Sequence, residues 1–241
     1  KIKQNKNSLS EIKMWQPNPG DVNELVTLLR SSINATTEQH NSIYSKLEHY
    51  SQSGHYCCYL GYIACDSNVD KSIRQIATLT LKGNVDKGFD KLDPEVIHYL
   101  KEIAITGIED SEAFIRRAFG SLIAALYCHL GQTKWPELFP NLVKGLNDCN
   151  ITLPFFETTL ETMSKILEDL EDPKHYFLLI KEEKYGKPLN DLVPILLNCC
   201  ENELSSHTIL RHALFQINMF LYGMPANLLR NINRFMEILF R

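Results

Sequence analysis

Two Ile-Arg pairs, Ile73-Arg74 and Ile115-Arg116, each sit at the head of an amphipathic stretch: Ser72-Ile73-Arg74-Gln75-Ile76-Ala77 and Phe114-Ile115-Arg116-Arg117-Ala118-Phe119. The two arginines stand 42 positions apart. A self-similarity of about 40 residues, carried by two or three helices per unit, marks an array of stacked helical repeats. Each unit of such an array is too thin to bury its own apolar stripe, so neighbours cover one another. The result is a long surface suited to holding macromolecules rather than a closed pocket for chemistry.

The rest of the chain follows the same plan. After Asn18-Pro19-Gly20-Asp21, a breaker and cap, apolar residues recur at helical spacing: Val22, Leu25, Val26, Leu28, Leu29 and Ile33. A second helix opens at Thr36-Thr37-Glu38 and ends at Gly54. Further pairs are expected over 55–65 with 69–87, 94–108 with 112–130, 135–146 with 154–170, and 189–200 with 204–221, and a lone helix over 225–240. Hairpin signals for strands are absent. The expected fold is all-α: a HEAT-repeat, right-handed superhelical solenoid of antiparallel helix pairs, about five and a half in number. Residues 1–13, polar and lysine-rich, form a disordered arm, the repeats fill 14–241, and residues 172–187 are an insertion that breaks the period. The expected core is Leu25, Leu29, Leu47, Ile73, Ala77, Ile115, Leu122, Ile123, Trp135, Leu138, Ile166 and Ile217. The last helix, with Phe235, Met236, Ile238, Leu239 and Phe240, is expected to leave an apolar end that a following helix would cover.

Composition narrows the function classes. A net charge of −4 gives no basic stripe for nucleic acid. No apolar run approaches the roughly 18 residues that cross a membrane. The seven cysteines include two adjacent pairs and no C-x-x-C, which fits neither a disulfide framework nor a zinc site. They read as small apolar residues in a reducing compartment, and cytoplasm and nucleus are the expected location. No G-x-S-x-G, H-E-x-x-H or glycine-rich phosphate loop is present, so no catalytic residue, metal or cofactor is expected and the chain is not read as an enzyme.

Three local features need a physical account. The Ile-Arg arginines, near the start of second helices, are either ladder residues paired with an acidic group in the next repeat or partner contacts, the ladder being favoured. Leu81-Lys82-Gly83-Asn84-Val85 places two weak helix formers late in a helix, which implies fraying there or close approach by a partner. In Trp135-Pro136-Glu137-Leu138-Phe139-Pro140, Pro136 fits a first helical turn, Trp135 staples the entry, and Pro140, one turn in, would bend the helix.

The order of these segments resembles the N-terminal portion of the importin-β (karyopherin-β) family. The likeness is carried by Met14-Trp15-Gln16-Pro17, Leu81 to Val85, Ile115-Arg116 with Gly120, and Lys134 to Pro140. It continues through Met163 to Asp169, Lys187-Pro188-Leu189-Asn190 and His212-Ala213 with Ile217-Asn218. Two positions depart from the family pattern: Gly83 replaces an asparagine, and in the fifth pair Ile209 is followed by Leu210, with Arg211 displaced by one. The resemblance implies a receptor that carries proteins through nuclear pores, binds pore proteins, and releases import cargo when Ran binds in its GTP form. It implies Ran contacts at Lys82 and Asn84, at Asp110, Arg116 and Arg117, and at Glu157 and Glu161. Cargo, including cargo with a proline-tyrosine signal, is expected to bind only a C-terminal arch that this chain lacks; neither nucleic acid nor membrane is an expected partner. A HEAT scaffold holding the subunits of another complex is the alternative.

Overall fold

The computed structural model describes residues 15–148, 150–169, 183–202, 205–223 and 226–240. Every regular element among them is helical. The chain divides into two compact units, the first ending at Ala118 and the second beginning at Phe119.

In the first unit, α1 (Pro19–Ser32) starts where Asn18 accepts the Gly20 N–H at 2.8 Å and Pro19 takes the first turn. α2 (Thr37–Ser51) opens with a reciprocal capping box between Thr36 and Gln39. Then come α3 (Tyr56–Cys65), α4 (Lys71–Gly88, capped by Asp70), a 3-10 turn at Phe89–Lys91, and α5 (Pro94–Gly107). α6 (Ala113–Lys134) runs across the division between the units. The links between α1 and α2 and between α3 and α4 span only a few residues, which reverses the chain and makes each pair antiparallel. α3 packs against α4 and, in the stacking direction, against α5. Approached from several sides, it is buried nearly all round: Tyr56, Cys57, Cys58, Leu60, Gly61, Ile63 and Ala64. At Gly61 a methyl group would stand 2.2 Å from Cδ1 of Ile103, so the α3–α5 spacing depends on that glycine.

The second unit contains the rest of α6, then α7 (Leu138–Leu146), α8 (Leu153–Asp169), α9 (Glu183–Glu201), α10 (His207–Gly223), α11 (Ala226–Arg230) and α12 (Ile232–Leu239). α7 pairs with α8 and α9 with α10; between pairs, α7 meets α9 and α8 meets α10. First helices therefore stack on first helices and second on second, as a HEAT array requires.

Eleven of the twelve expected core residues are buried, from Leu25 to Ile217. Leu47 is only half-buried, because α2 presents a largely polar surface and buries no residue at all. Three further expectations change. The terminal helix is two short helices, α11 and α12, meeting at Asn231, where φ is −107° and ψ 19°. Asn227 donates to the Asn190 carbonyl oxygen at 2.8 Å, and Asn231 Nδ2 donates to the Asn227 carbonyl oxygen at 2.7 Å, so side-chain hydrogen bonds compete with helix continuation there. Arg234 on α12 then pairs with Glu201 and Asn198 at the end of α9. Phe235 is buried while Met236 and Phe240 are exposed. Pro136 lies in the turn before α7 rather than inside it, and Pro140 falls in the helix's first turn, where its missing N–H removes no bond and bends nothing. Finally, α4 continues through Gly83 and Asn84 to Gly88 without fraying. The expected arm at 1–13 lies outside the described residues, as does the expected insertion up to residue 182; from Glu183 the chain is helical.

Candidate protein-binding surface

Asp110, in the turn before α6, is the node of the first unit. Its carboxylate pairs with Arg74 of α4, and its other oxygen accepts the Glu112 N–H at 2.9 Å at the start of α6. Its backbone carbonyl accepts from Arg116 at 2.7 Å, and Arg116 also donates to the Ser111 carbonyl at 2.9 Å. Arg74 is buried, and its Nε donates to the Ala64 carbonyl at 2.9 Å. One buried guanidinium thus ties the end of α3, the second helix of one pair and the turn of the next. This is the ladder role, and it commits the Asp110 carboxylate internally. Lys71 to Glu112, at 3.7 Å and well exposed, is a weaker parallel rung.

The apolar stripe of α4, Ile73, Ala77, Leu81 and Val85, faces inward at four-residue steps. The opposite side carries Leu79, 48% exposed, with Gly83 one turn on, where an added methyl would meet nothing within 4 Å. Beside it Lys82 pairs with Asp86 at 2.6 Å, and Asn84 donates to the Thr80 carbonyl at 2.8 Å. The two expected residues on α4 therefore border an open, partly apolar face. Leu79 was missed by sequence reasoning; its signal is that it falls off the inward stripe. Arg117, one residue after the node, is exposed.

Glu157 and Glu161 belong to the second unit, on α8, so the expected site residues are divided between the units. Glu161 accepts from Lys165 at 3.0 Å, one turn along, and both glutamates are half-buried. They sit near His212 of α10, a buried ring whose Nε2 lies 3.3 Å from an Arg211 guanidinium nitrogen. Burial, followed by Arg211, holds His212 below its ordinary value, while Glu161 and Glu157 pull the other way. Arg211, displaced from the Ile-Arg position, thus acts on its neighbour. Below it, buried Gln216 donates to the Leu160 carbonyl and to Ser164, at 2.9 and 3.0 Å. α8 and α10 therefore meet through a polar seam.

Burial pushes the thiols of Cys57 up to about 12 and of Cys58, Cys199 and Cys200 up to about 11, far from the thiolate form. Among the described residues no group of three His, Cys, Asp or Glu side chains could hold a metal ion, and no helix is long and apolar enough to cross a membrane.

Comparison with known proteins identifies the family. Residues 43–110 match the importin-β N-terminal domain, and residues 112–241 match the exportin 1-like protein family. A transportin from Dictyostelium discoideum is 29% identical over 228 residues, covering 94% of this chain and 23% of that protein. Two solved structures share the fold: Kap95 with Nup1 (20% identity), and Kap95p in a study of how its binding induces the switch loops of RanGDP to adopt the GTP-bound conformation (19%). Each superposes with a TM-score of 0.69, covering 90% of this chain and 26% of the other. The chain thus spans about a quarter of the length of the proteins it matches. With the exportin 1-like model alone matching more than half of its residues, directly behind an importin-β N-terminal domain, the chain belongs to the exportin 1-like family and, with it, to the importin-β (karyopherin-β) family.

Proposed function

We propose that this chain is the N-terminal, Ran-binding portion of a transportin-like nuclear import receptor. The observation that carries the reading is the unbroken succession of the two family domains over 43–241, joined to transportin similarity along 94% of the chain. Such a receptor works in both cytoplasm and nucleus, meets pore proteins on passage, and gives up import cargo when Ran arrives in its GTP form. Its action is binding rather than catalysis.

Lys82, Asn84, Arg116 and Arg117 in the first unit, with Glu157 and Glu161 in the second, are the proposed Ran contacts, and the open face of α4 around Leu79 and Gly83 supplies room for close approach. Asp110 has a different role: paired with Arg74, it positions the turn that presents Arg116 and Arg117. A GTPase switch region is ordered only while the γ-phosphate and Mg²⁺ hold it. A firm helical surface therefore distinguishes the two nucleotide states without touching nucleotide. Calorimetry with Ran carrying a non-hydrolysable GTP analogue, against Ran carrying GDP, tests the reading: the GTP form binds more tightly. Equal affinity for the two forms rejects it in favour of a scaffold function.

A further inference from the structure

The two tryptophans occupy opposite environments. Trp135 is 2% exposed, as a core residue should be, whereas Trp15 is half-buried at the surface of the first unit. The Trp15 ring stands 4.6 Å, edge to face, from Tyr59, 6.1 Å from Tyr99 and 6.0 Å, nearly parallel, from His55. Tyr59 and Tyr99 are also half-buried and His55 is exposed. Four aromatic rings drawn from the segment before α1, the head of α3, and α5 thus gather where solvent reaches them.

Two carboxylates border the cluster. Asp21 accepts the Tyr59 hydroxyl proton at 2.7 Å, and the same hydroxyl oxygen accepts the Asn18 N–H at 3.3 Å, which fixes an anionic group against the rings. Asp93 stands at the N-cap position of α5 yet makes no side-chain capping bond. Instead its Oδ2 lies 3.9 Å from where a methyl on Gly54 would stand, and Gly54 directly precedes His55. An aspartate at an N-cap ordinarily accepts an amide of the first turn; here it is exposed and turned toward the side of the cluster. Among the described residues neither Asp21 nor Asp93 has a cationic partner.

Aromatic faces with acidic edges select a planar cation. The guanidinium of arginine stacks flat on indole and phenol rings while its N–H fork reaches carboxylates at the edge; the ammonium of lysine is a compact, strongly hydrated point charge that does this less well. We propose that the Trp15, His55, Tyr59 and Tyr99 cluster, with Asp21 and Asp93 at its rim, is a docking site for an arginine side chain on an extended segment of a protein partner. The proposal does not rest on Ran binding, and its test contains no GTPase, so either reading can fail alone.

The test is a titration of the chain with a short peptide of alternating glycine and arginine, and with the matching glycine-lysine peptide, at about 0.1 M salt where nonspecific attraction is screened beyond ~10 Å. Heteronuclear NMR follows the two indole N–H signals, and calorimetry gives the affinity. The expected result is a saturable shift of the Trp15 signal with Trp135 unmoved, and arginine peptide binding at least about threefold tighter than lysine peptide. Asp93→Asn, which loses no capping bond and should leave the fold intact, weakens the arginine peptide by about two- to fivefold, as does Tyr99→Leu. Equal affinity for the two peptides, equal shifts of both indoles, or unchanged affinity in Asp93→Asn overturns the proposal.

Discussion

Removing the Asp110 carboxylate leaves Arg74, whose side chain is only 8% exposed, as a buried cation without its anionic partner. Breaking one side of such a pair costs about 3–5 kcal/mol, and losing the accepting oxygen for Glu112 N–H adds about 1 kcal/mol of capping. Asp110→Ala should therefore lower the urea midpoint of the first unit sharply, and Asp110→Asn, which keeps an accepting oxygen, less so; equal midpoints would remove the ladder role. The arginine was legible in the sequence because it recurs, but its aspartate was not, since the two are separated by 36 positions, with the whole of α5 between them. His212 was less legible still: a histidine on a helix face says nothing of what lies opposite. Its folded value is depressed, so the unfolded chain binds a proton first as pH falls below the ordinary 6.5. The stability it contributes is complete above 6.5 and is lost as pH falls toward the lower folded value. His212→Asn should make the decline of stability as pH falls below 6.5 shallower than in the parent, read from unfolding midpoints of the second unit. An identical slope would mean that the ring is already solvated.

Helix placement was the most readable level, because an inward stripe at 3.6-residue spacing needs no knowledge of the partner helix. Where two elements touch was readable only in part. Gly120 of α6 illustrates this: a methyl there would stand 2.5 Å from Oγ1 of Thr162 on α8, so the two helices approach over a residue with no side chain. Thr162 already donates its hydroxyl to the Thr158 carbonyl and is buried. Gly120→Ala should destabilise the second unit by about 1–3 kcal/mol, as overpacking does. Adding Thr162→Ala should recover part of that loss, so the double variant is more stable than the sum of the singles; strict additivity would show that the helices simply separate. Element boundaries were the least readable. The α6 helix breaks at Gly131, with φ +60°, and Gln132 is held between the Tyr127 hydroxyl and the Pro136 carbonyl, at 2.9 and 3.2 Å. This hook moves the start of α7 to Leu138 and puts Pro140 in a first turn. Trp135→Ala still removes a buried indole and should cost about 3–5 kcal/mol, whereas Pro140→Ala should stay within about 0.5 kcal/mol. A large loss in Pro140→Ala would contradict the first-turn placement.

At the scale of the whole chain, the family was legible because an ordered series of short motifs is more specific than any one of them, while the surroundings of the proposed contact residues were not, since exposure and pairing depend on the fold. Lys82 and Arg117 came out exposed or nearly so, Asp110 came out internal, and Glu157 and Glu161 came out beside a buried histidine that the motifs do not reveal. That neighbourhood fixes how their proposed part in Ran binding is tested. Reversing both glutamates removes the charges that favour protonation of His212 and frees Lys165 from Glu161. The measurement therefore belongs above pH 7, where the ring is neutral in parent and variant alike, with the midpoint of unfolding checked first. The chain covers about a quarter of the length of its relatives, so affinity measured on it lacks whatever the remaining length contributes, and rate constants are more telling than affinity. Charges at the rim of an interface act mainly on encounter, whereas contacts desolvated at its centre act mainly on escape. For Ran in the GTP form, Glu157→Lys with Glu161→Lys should lower the association rate by about tenfold at low salt and flatten its dependence on ionic strength, while leaving dissociation within about twofold. Surface binding at two salt concentrations reads all three quantities. Faster dissociation with unchanged association would instead place the glutamates at the buried centre of the contact, and no change in either rate would remove α8 from the proposed Ran surface.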